Sequence, residues 1–144
     1  MRPGPACYCG RHGCIETFLS GPGLARDHGA AGGGDLSAEQ IAARAAKDDP
    51  AAEAALRRYE DRLARSLATV INIVDPEVIV LGGGLSHLER LYRTLPERLR
   101  AYVFSDRVDT PVLPPRHGAS SGVRGAAWLW PPDDARTTEG TDLP

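Results

Sequence analysis

Three cysteines, Cys7, Cys9 and Cys14, fall within the stretch CYCGRHGCIE, residues 7–16, and the chain has no others. Thiols packed this closely bind metal or carry out redox chemistry. Gly10 and Gly13 stand between them. Glycine lets the backbone fold tightly enough for three sulfurs to point at one centre. Three thiolates and one nitrogen make a common structural zinc shell. His12 offers a nitrogen, although it lies inside the loop that the cysteines would wrap; a solvent-facing loop histidine is the other reading. A trio of unrelated buried thiols is also open, but it leaves the two glycines unexplained. A Cys7–Cys9 disulfide would span one residue under strain, and a redox pair favours C-x-x-C spacing.

A second candidate is Gly82-Gly83-Gly84, which follows the apolar run VIVL at residues 78–81. A strand that feeds a Cβ-free turn and then a helix lets the backbone approach a ligand, with N–H groups at hand. An ordinary tight strand-to-helix turn has the same composition. The stretch is not a G-x-G-x-x-G fingerprint, because His87 stands where the last glycine would be. Gly122 and Gly125 read as close helix packing.

Several elements must hold these residues. Ile15–Asp27 reads as helical, broken or kinked at Gly21-Pro22-Gly23. GAAGGGD, residues 29–35, reads as a flexible linker. Ser37 and Gln40 form a capping box that opens a helix to about Lys47. Pro50 starts a long helix, with Leu56, Tyr59, Leu63, Leu67, Val70, Ile71 and Val74 at spacings of three and four. Asp75-Pro76 ends it. VIVL is β-branched and apolar on both faces, which predicts a buried parallel strand. Leu88, Leu91, Leu95, Leu99 and Tyr102 mark another amphipathic helix, with a bend at Pro96. PVLP, residues 111–114, suits an edge strand. SSGVRGAAWLW predicts a last helix, and the polar PPDDARTTEGTDLP a disordered tail. The order helix, strand, glycine turn, helix, strand is that of an α/β fold.

Composition removes some classes. The 144 residues carry 17 basic and 19 acidic side chains, a net charge of −2, so no basic footprint points to nucleic acid or an anionic membrane. No apolar run is long enough to span a bilayer. MRPGPACYCG has no apolar signal core, and clustered thiols without one fit a reducing, cytoplasmic setting. The cysteine cluster follows Met1 almost at once, with no strand or helix before it, so the chain is expected to begin in the middle of a larger fold.

CYCGRHGCIE resembles the C-x-C-G-x-x-G-C-x-E signature of the ROK family (repressors, open reading frames and sugar kinases). Three cysteines, two glycines and one glutamate fall in register. INIVDPEVIVLGGGLS is also similar to the family, and the resemblance runs to about Pro131. RRYEDRLARSLA and HGASSGVRGAAWLWP look most like the family's bacterial fructokinases. The resemblance implies two actin-like (ribonuclease H-like) α/β domains. Residues 1–131 would be most of the second, with the zinc loop at 7–16 and a tail at 132–144. Cys7, Cys9 and Cys14 would bind structural zinc, its fourth ligand a histidine of an upstream E-x-G-H motif. Glu16 would accept hydrogen bonds from sugar hydroxyls, although a helix N-terminal acid is its other reading. Gly82, Gly83 and Gly84 would lie against the nucleotide.

In such kinases the aspartate of an Asn-Asp pair takes the proton from the sugar 6-hydroxyl as it attacks the γ-phosphorus of Mg-ATP. The chain's one asparagine, Asn72, is followed by Ile73. The phosphate loop D-x-G-G-T-K is also absent. Asp27-His28-Gly29 matches only D-x-G and reads as a helix end with Gly29 as its cap. The implied partners are ATP, Mg and a hexose, with a homodimer in the full-length protein, and neither nucleic acid nor membrane. The isolated chain is expected to be inactive, and to expose Trp128, Leu129 and Trp130 where the last helix, near Val123–Leu129, would meet the first domain. A ROK repressor's C-terminal half, and a free-standing zinc domain with His12 as fourth ligand, are the competing readings.

Overall fold

The structure is a computed structural model that describes residues 4–129. Trp130 and the expected tail at 132–144 lie outside the described residues. Among the described residues, five α-helices and two strands follow in order: α1 (Gly21–Ala30), α2 (Ala38–Ala45), α3 (Pro50–Val74), β1 (Ile79–Val80), α4 (Glu89–Leu99), β2 (Val112–Leu113) and α5 (Ser121–Ala127). Short 3-10 turns occupy Ile15–Thr17, Gly84–His87 and Gly118–Ser120.

Local chemistry sets most boundaries. Ser37 Oγ accepts from the Gln40 amide at 3.3 Å, and the Ser37 amide donates to Gln40 Oε1 at 2.8 Å, which closes the expected capping box at α2. Asp49 Oδ1 accepts from the Ala51 and Ala52 amides, both at 3.0 Å, and Pro50 occupies the first turn of α3. Asp75 ends α3 in the left-handed region at φ 47°.

Gly21-Pro22-Gly23 begins a helix instead of kinking one. Ser20 caps α1, its Oγ accepting from the Gly23 amide at 3.1 Å, and Pro22 lies in the first turn, where a missing N–H does no harm. Residues 29–35 are not a free linker. Gly29 and Ala30 complete α1, so Gly29 is not its cap. The loop then closes over His28, which is buried and sits with Nδ1 3.2 Å from the Gly34 carbonyl oxygen. A Cβ on Gly33 would lie 2.2 Å from the His28 ring.

The core is helical. α3 packs against α1, α2 and α4. It buries Leu56, Tyr59, Leu63 and Ile71 with Leu24 of α1, Ile41 of α2, and Leu91, Leu95 and Leu99 of α4. Tyr102, expected on the α4 stripe, falls beyond the helix end. Val70 and Val74 lie on the solvent side of α3 beside Ile73.

β1 and β2 pair in parallel, Ile79 with Val112 and Val80 with Leu113, as a two-stranded sheet among the described residues. VIVL is not buried on both faces. Ile79 and Leu81 turn toward the core, whereas Val78 and Val80 are 45% and 56% exposed. α5 is shorter than expected and buries none of its residues; Trp128 and Leu129 are exposed, as expected of them, and so is Val123.

Between α3 and α4 lies a charge network. The fully buried Glu60 carboxylate accepts from Arg90 Nε at 2.5 Å and from an Arg98 guanidinium nitrogen at 3.0 Å. Arg90 also donates to Glu53 at 2.7 Å, and Arg57 donates to the same carboxylate at 2.8 Å. Arg90 first, then Arg57, holds the Glu53 carboxyl down from an ordinary 4.5 to about 2. A depressed carboxyl contributes stability that is complete above its unfolded pKa and lost as pH falls through the folded one. The Glu53 contribution should therefore fade between pH 4.5 and about 2. Melting curves across that window should separate wild type from Glu53→Gln at the upper end and bring them together at the lower. Parallel curves throughout would show that the pair adds nothing.

Candidate functional site

The cysteine stretch folds as a small knuckle. Ala6 and His12 form an antiparallel bridge. The Cys7 amide donates to the Arg11 carbonyl at 2.8 Å, the Gly10 amide to the Cys7 carbonyl at 3.0 Å, and the Gly13 amide to the Pro5 carbonyl at 2.9 Å. Gly10 and Gly13 sit at φ 82° and 71°, where a side chain would strain the turn. The three sulfurs lie within 4.8 Å of one another, and Cys9 Sγ is 3.5 Å from Cys14 Sγ. A tetrahedral centre with Zn–S bonds of about 2.3 Å needs sulfurs about 3.8 Å apart, so the donor set fits zinc. His12 is exposed and is not in the cluster; among the described residues no histidine or carboxylate joins the three thiols. The zinc-domain reading with His12 as fourth ligand therefore loses its ligand.

The neighbours of each thiol set its acidity differently. The Arg11 backbone beside Cys9 holds that thiol below its ordinary value, while Cys14, hydrogen-bonded first to Cys9, is pushed up to about 11. Coordination to a cation would remove the proton from each ligating thiol outright.

The knuckle runs straight into the 3-10 turn that carries Glu16. Thr17 Oγ1 donates to the Cys14 carbonyl at 2.6 Å, and Ser20 Oγ to the Glu16 carbonyl at 2.7 Å. Arg26 of α1 donates to the Thr17 carbonyl. Arg62 of α3 lies 5.2 Å over the Phe18 ring and pairs with Asp27 at 2.7 Å, which ties the turn to the helical core. A hollow of about 300 Å³ opens here, lined by Tyr8, Glu16, Thr17, Ser20 and Arg26 together with Cys7. The Glu16 carboxylate beside the Tyr8 hydroxyl raises that phenol above its ordinary value. The hollow offers an anionic acceptor, hydroxyls and a guanidinium, a set suited to a polyol. Tyr8, Ser20 and Arg26 escaped the sequence reading; Ser20 alone had a local signal, four residues after Glu16 and just before a Gly-Pro.

The second candidate stands apart. None of Gly82, Gly83 and Gly84 lines the Glu16 hollow. They follow β1, and the Gly118–Ser120 turn follows β2; the two turns touch, with His87 Cε1 3.9 Å from where a Gly118 Cβ would sit. Both parallel strands thus run into glycine-bearing turns at their carboxyl ends, the side on which open α/β sheets take ligands. A Cβ on any of the three glycines would meet nothing within 4 Å, so the turn is open backbone. Ser86 Oγ donates to the Gly83 carbonyl at 2.6 Å and Tyr92 donates to the Ser86 carbonyl at 2.7 Å, which braces the turn from α4.

Residues 1–133 match the sequence profile of the ROK family. The chain belongs to the ROK family. An N-acetyl-D-glucosamine kinase of Yersinia pseudotuberculosis is 39% identical over 127 residues, which cover 88% of this chain and 42% of that protein. The chain therefore spans about two-fifths of that relative's length. A ROK glucokinase from Streptomyces griseus, solved with glucose and AMPPNP, superposes with a TM-score of 0.78 at 26% identity, covering 90% of this chain and 48% of that one. A ROK transcriptional regulator, a homologue of the E. coli MLC protein, gives 0.65 at 26% identity, over 79% of this chain and 32% of that one. The fold is thus part of the α/β fold of ROK sugar kinases. The relative is named for N-acetylglucosamine and not for fructose, so the likeness does not select the fructokinase members. Among the described residues no helix is long and apolar enough to cross a membrane.

Proposed function

We propose that these residues serve an ATP-dependent hexose kinase. The observation that carries this reading is the placement of Glu16 two residues after the cysteine knuckle, in a hollow lined with hydroxyls. Glu16 accepts hydrogen bonds from sugar hydroxyls, and its two oxygens can take two at once. Cys7, Cys9 and Cys14 hold zinc, which when bound cross-links the knuckle and so fixes the turn that aims Glu16. Gly82, Gly83 and Gly84 present open backbone to the nucleotide of Mg-ATP. Residues 1–131 act as one unit of the kinase, separate from the tail at 132–144. Fructose, favoured by RRYEDRLARSLA and HGASSGVRGAAWLWP, and N-acetylglucosamine, favoured by the kinase relative, are the first sugars to test.

The 144 residues contain no Asn-Asp pair and no D-x-G-G-T-K loop. The chain by itself is therefore expected to show no ATP-dependent phosphorylation of either sugar in a coupled ADP-release assay. Turnover above background by the purified chain would refute that expectation.

The match to a transcriptional regulator keeps a second reading in play, in which the same fold senses a sugar for a DNA-binding partner domain. Reading the genomic frame upstream of Met1 separates the two. A phosphate loop, an Asn-Asp pair and an E-x-G-H motif support the kinase. A helix-turn-helix without the Asn-Asp pair overturns it.

A further inference from the structure

We infer that the cysteine knuckle is a peroxide-sensitive modification site, in which Cys9 and Cys14 close into a reversible disulfide while Cys7 stays a free thiol. Three observations carry this. The first is distance: Cys9 Sγ and Cys14 Sγ are already 3.5 Å apart, and the shift to a bond of about 2.05 Å is small. The second is exposure. Cys9 is the exposed member of the trio, and every residue from Cys9 to Gly13 is exposed, so the loop can take up the movement without disturbing the core. The third is what holds Cys7. Its amide donates to the Arg11 carbonyl and its carbonyl accepts from the Gly10 amide, so its backbone is fixed in the turn, and its less exposed sulfur makes no contact of the kind that joins Cys9 and Cys14. A Cys7–Cys9 bond would force a ring with one intervening residue.

The chemistry balances with hydrogen peroxide as oxidant. The Cys9 thiolate attacks one peroxide oxygen, the O–O bond breaks, and the departing hydroxide takes a proton to become water. Cys14 then gives up its proton as its sulfur attacks the sulfenic sulfur of Cys9; the S–S bond forms, the S–O bond breaks, and the hydroxyl leaves with that proton as water. The two sulfurs lose two electrons between them, and one peroxide gains them. A dithiol reductant returns both thiols by exchange. A disulfide sulfur no longer serves as a thiolate ligand, so oxidation removes two of the three metal donors. The pull on Cys14 also reaches Glu16, through the turn that Thr17 ties to the Cys14 carbonyl.

The metal arm of the test rests on the zinc reading; the disulfide arm does not. The purified chain is treated with hydrogen peroxide, alkylated and digested with trypsin. Cleavage after Arg11 separates Cys7 and Cys9 from Cys14. The expected product is a cross-linked pair of peptides, with the alkyl group on Cys7 and an intact mass lowered by about 2 Da, reversed by dithiothreitol. A Cys7→Ser variant should still form the bond, and Cys9→Ser should not form one in the same time. On zinc-loaded chain, a chromogenic chelator should register metal release in step with the mass change. Cys7 in the disulfide, a cross-linked dimer, or a Cys9 sulfinic acid with Cys14 still alkylatable would each overturn the inference, whether or not the variants fold. Zinc retained by fully oxidised chain would overturn the link to the metal. A chain that takes up no zinc before oxidation would fail the zinc reading alone.

Discussion

Glu60→Ala is expected to destabilise the chain by about 3–5 kcal/mol, the usual penalty for removing one partner of a buried ion pair. Glu60 is fully buried and is the acceptor for both Arg90 and Arg98. Arg90 keeps Glu53 as a partner after the substitution, but Arg98 loses its only carboxylate among the ion pairs of the described residues. A small domain has about 5–15 kcal/mol in total, so the variant should sit near its unfolding threshold at room temperature. Urea denaturation followed by helical circular dichroism measures this directly. Glu60→Gln should fall between the two, because it keeps an acceptor but loses the charge. A loss under about 1 kcal/mol for the alanine variant would mean that water reaches the pocket and the pair behaves as a surface one.

Zinc removal should do the opposite: a large local effect and a small global one. The native chain is expected to carry roughly one zinc per molecule, held by Cys7, Cys9 and Cys14 with a fourth donor from outside the cluster. Cys14→Ser should lower bound zinc severalfold and loosen the turn that carries Glu16. The core residues begin at Leu24, and no residue of the knuckle belongs to them. Helical circular dichroism should therefore barely change on chelation, while tryptic cleavage after Arg11 should accelerate as the knuckle opens. Loss of helical signal together with the metal would show that the knuckle holds up the core. A zinc content near zero in the wild type would remove the metal site itself.

The contrast between these two sites reflects how far apart in sequence their parts lie. The knuckle was legible because its chemistry is local. Three cysteines and two glycines within a few residues imply one turn with converging sulfurs, whatever the rest of the chain does. The same holds for the capping box at Ser37 and Gln40, for the stop at Asp75-Pro76, and for the apolar stripe of α3 through Leu56, Tyr59, Leu63 and Ile71, though not for Val70 and Val74. The glycines at 82–84 were legible as a strand-to-helix turn for that reason too.

Tertiary structure alone decided the rest. Glu60 reads in sequence as one more charged residue in RRYEDRL; its burial depends on Arg90 and Arg98, which are 30 and 38 residues away. Gly29–Asp35 has the composition of a free linker, yet it is closed over the buried His28, a contact that needs α1 in place. Gly21-Pro22 looked like a break because the pair is read as a helix breaker unless the Ser20 cap before it is weighed. Val78 and Val80 read as buried from their type, but burial requires a neighbour, and among the described residues β1 has one partner strand and one covered face. Residue type states what a side chain favours. Whether that preference is met depends on which distant elements the fold brings to it.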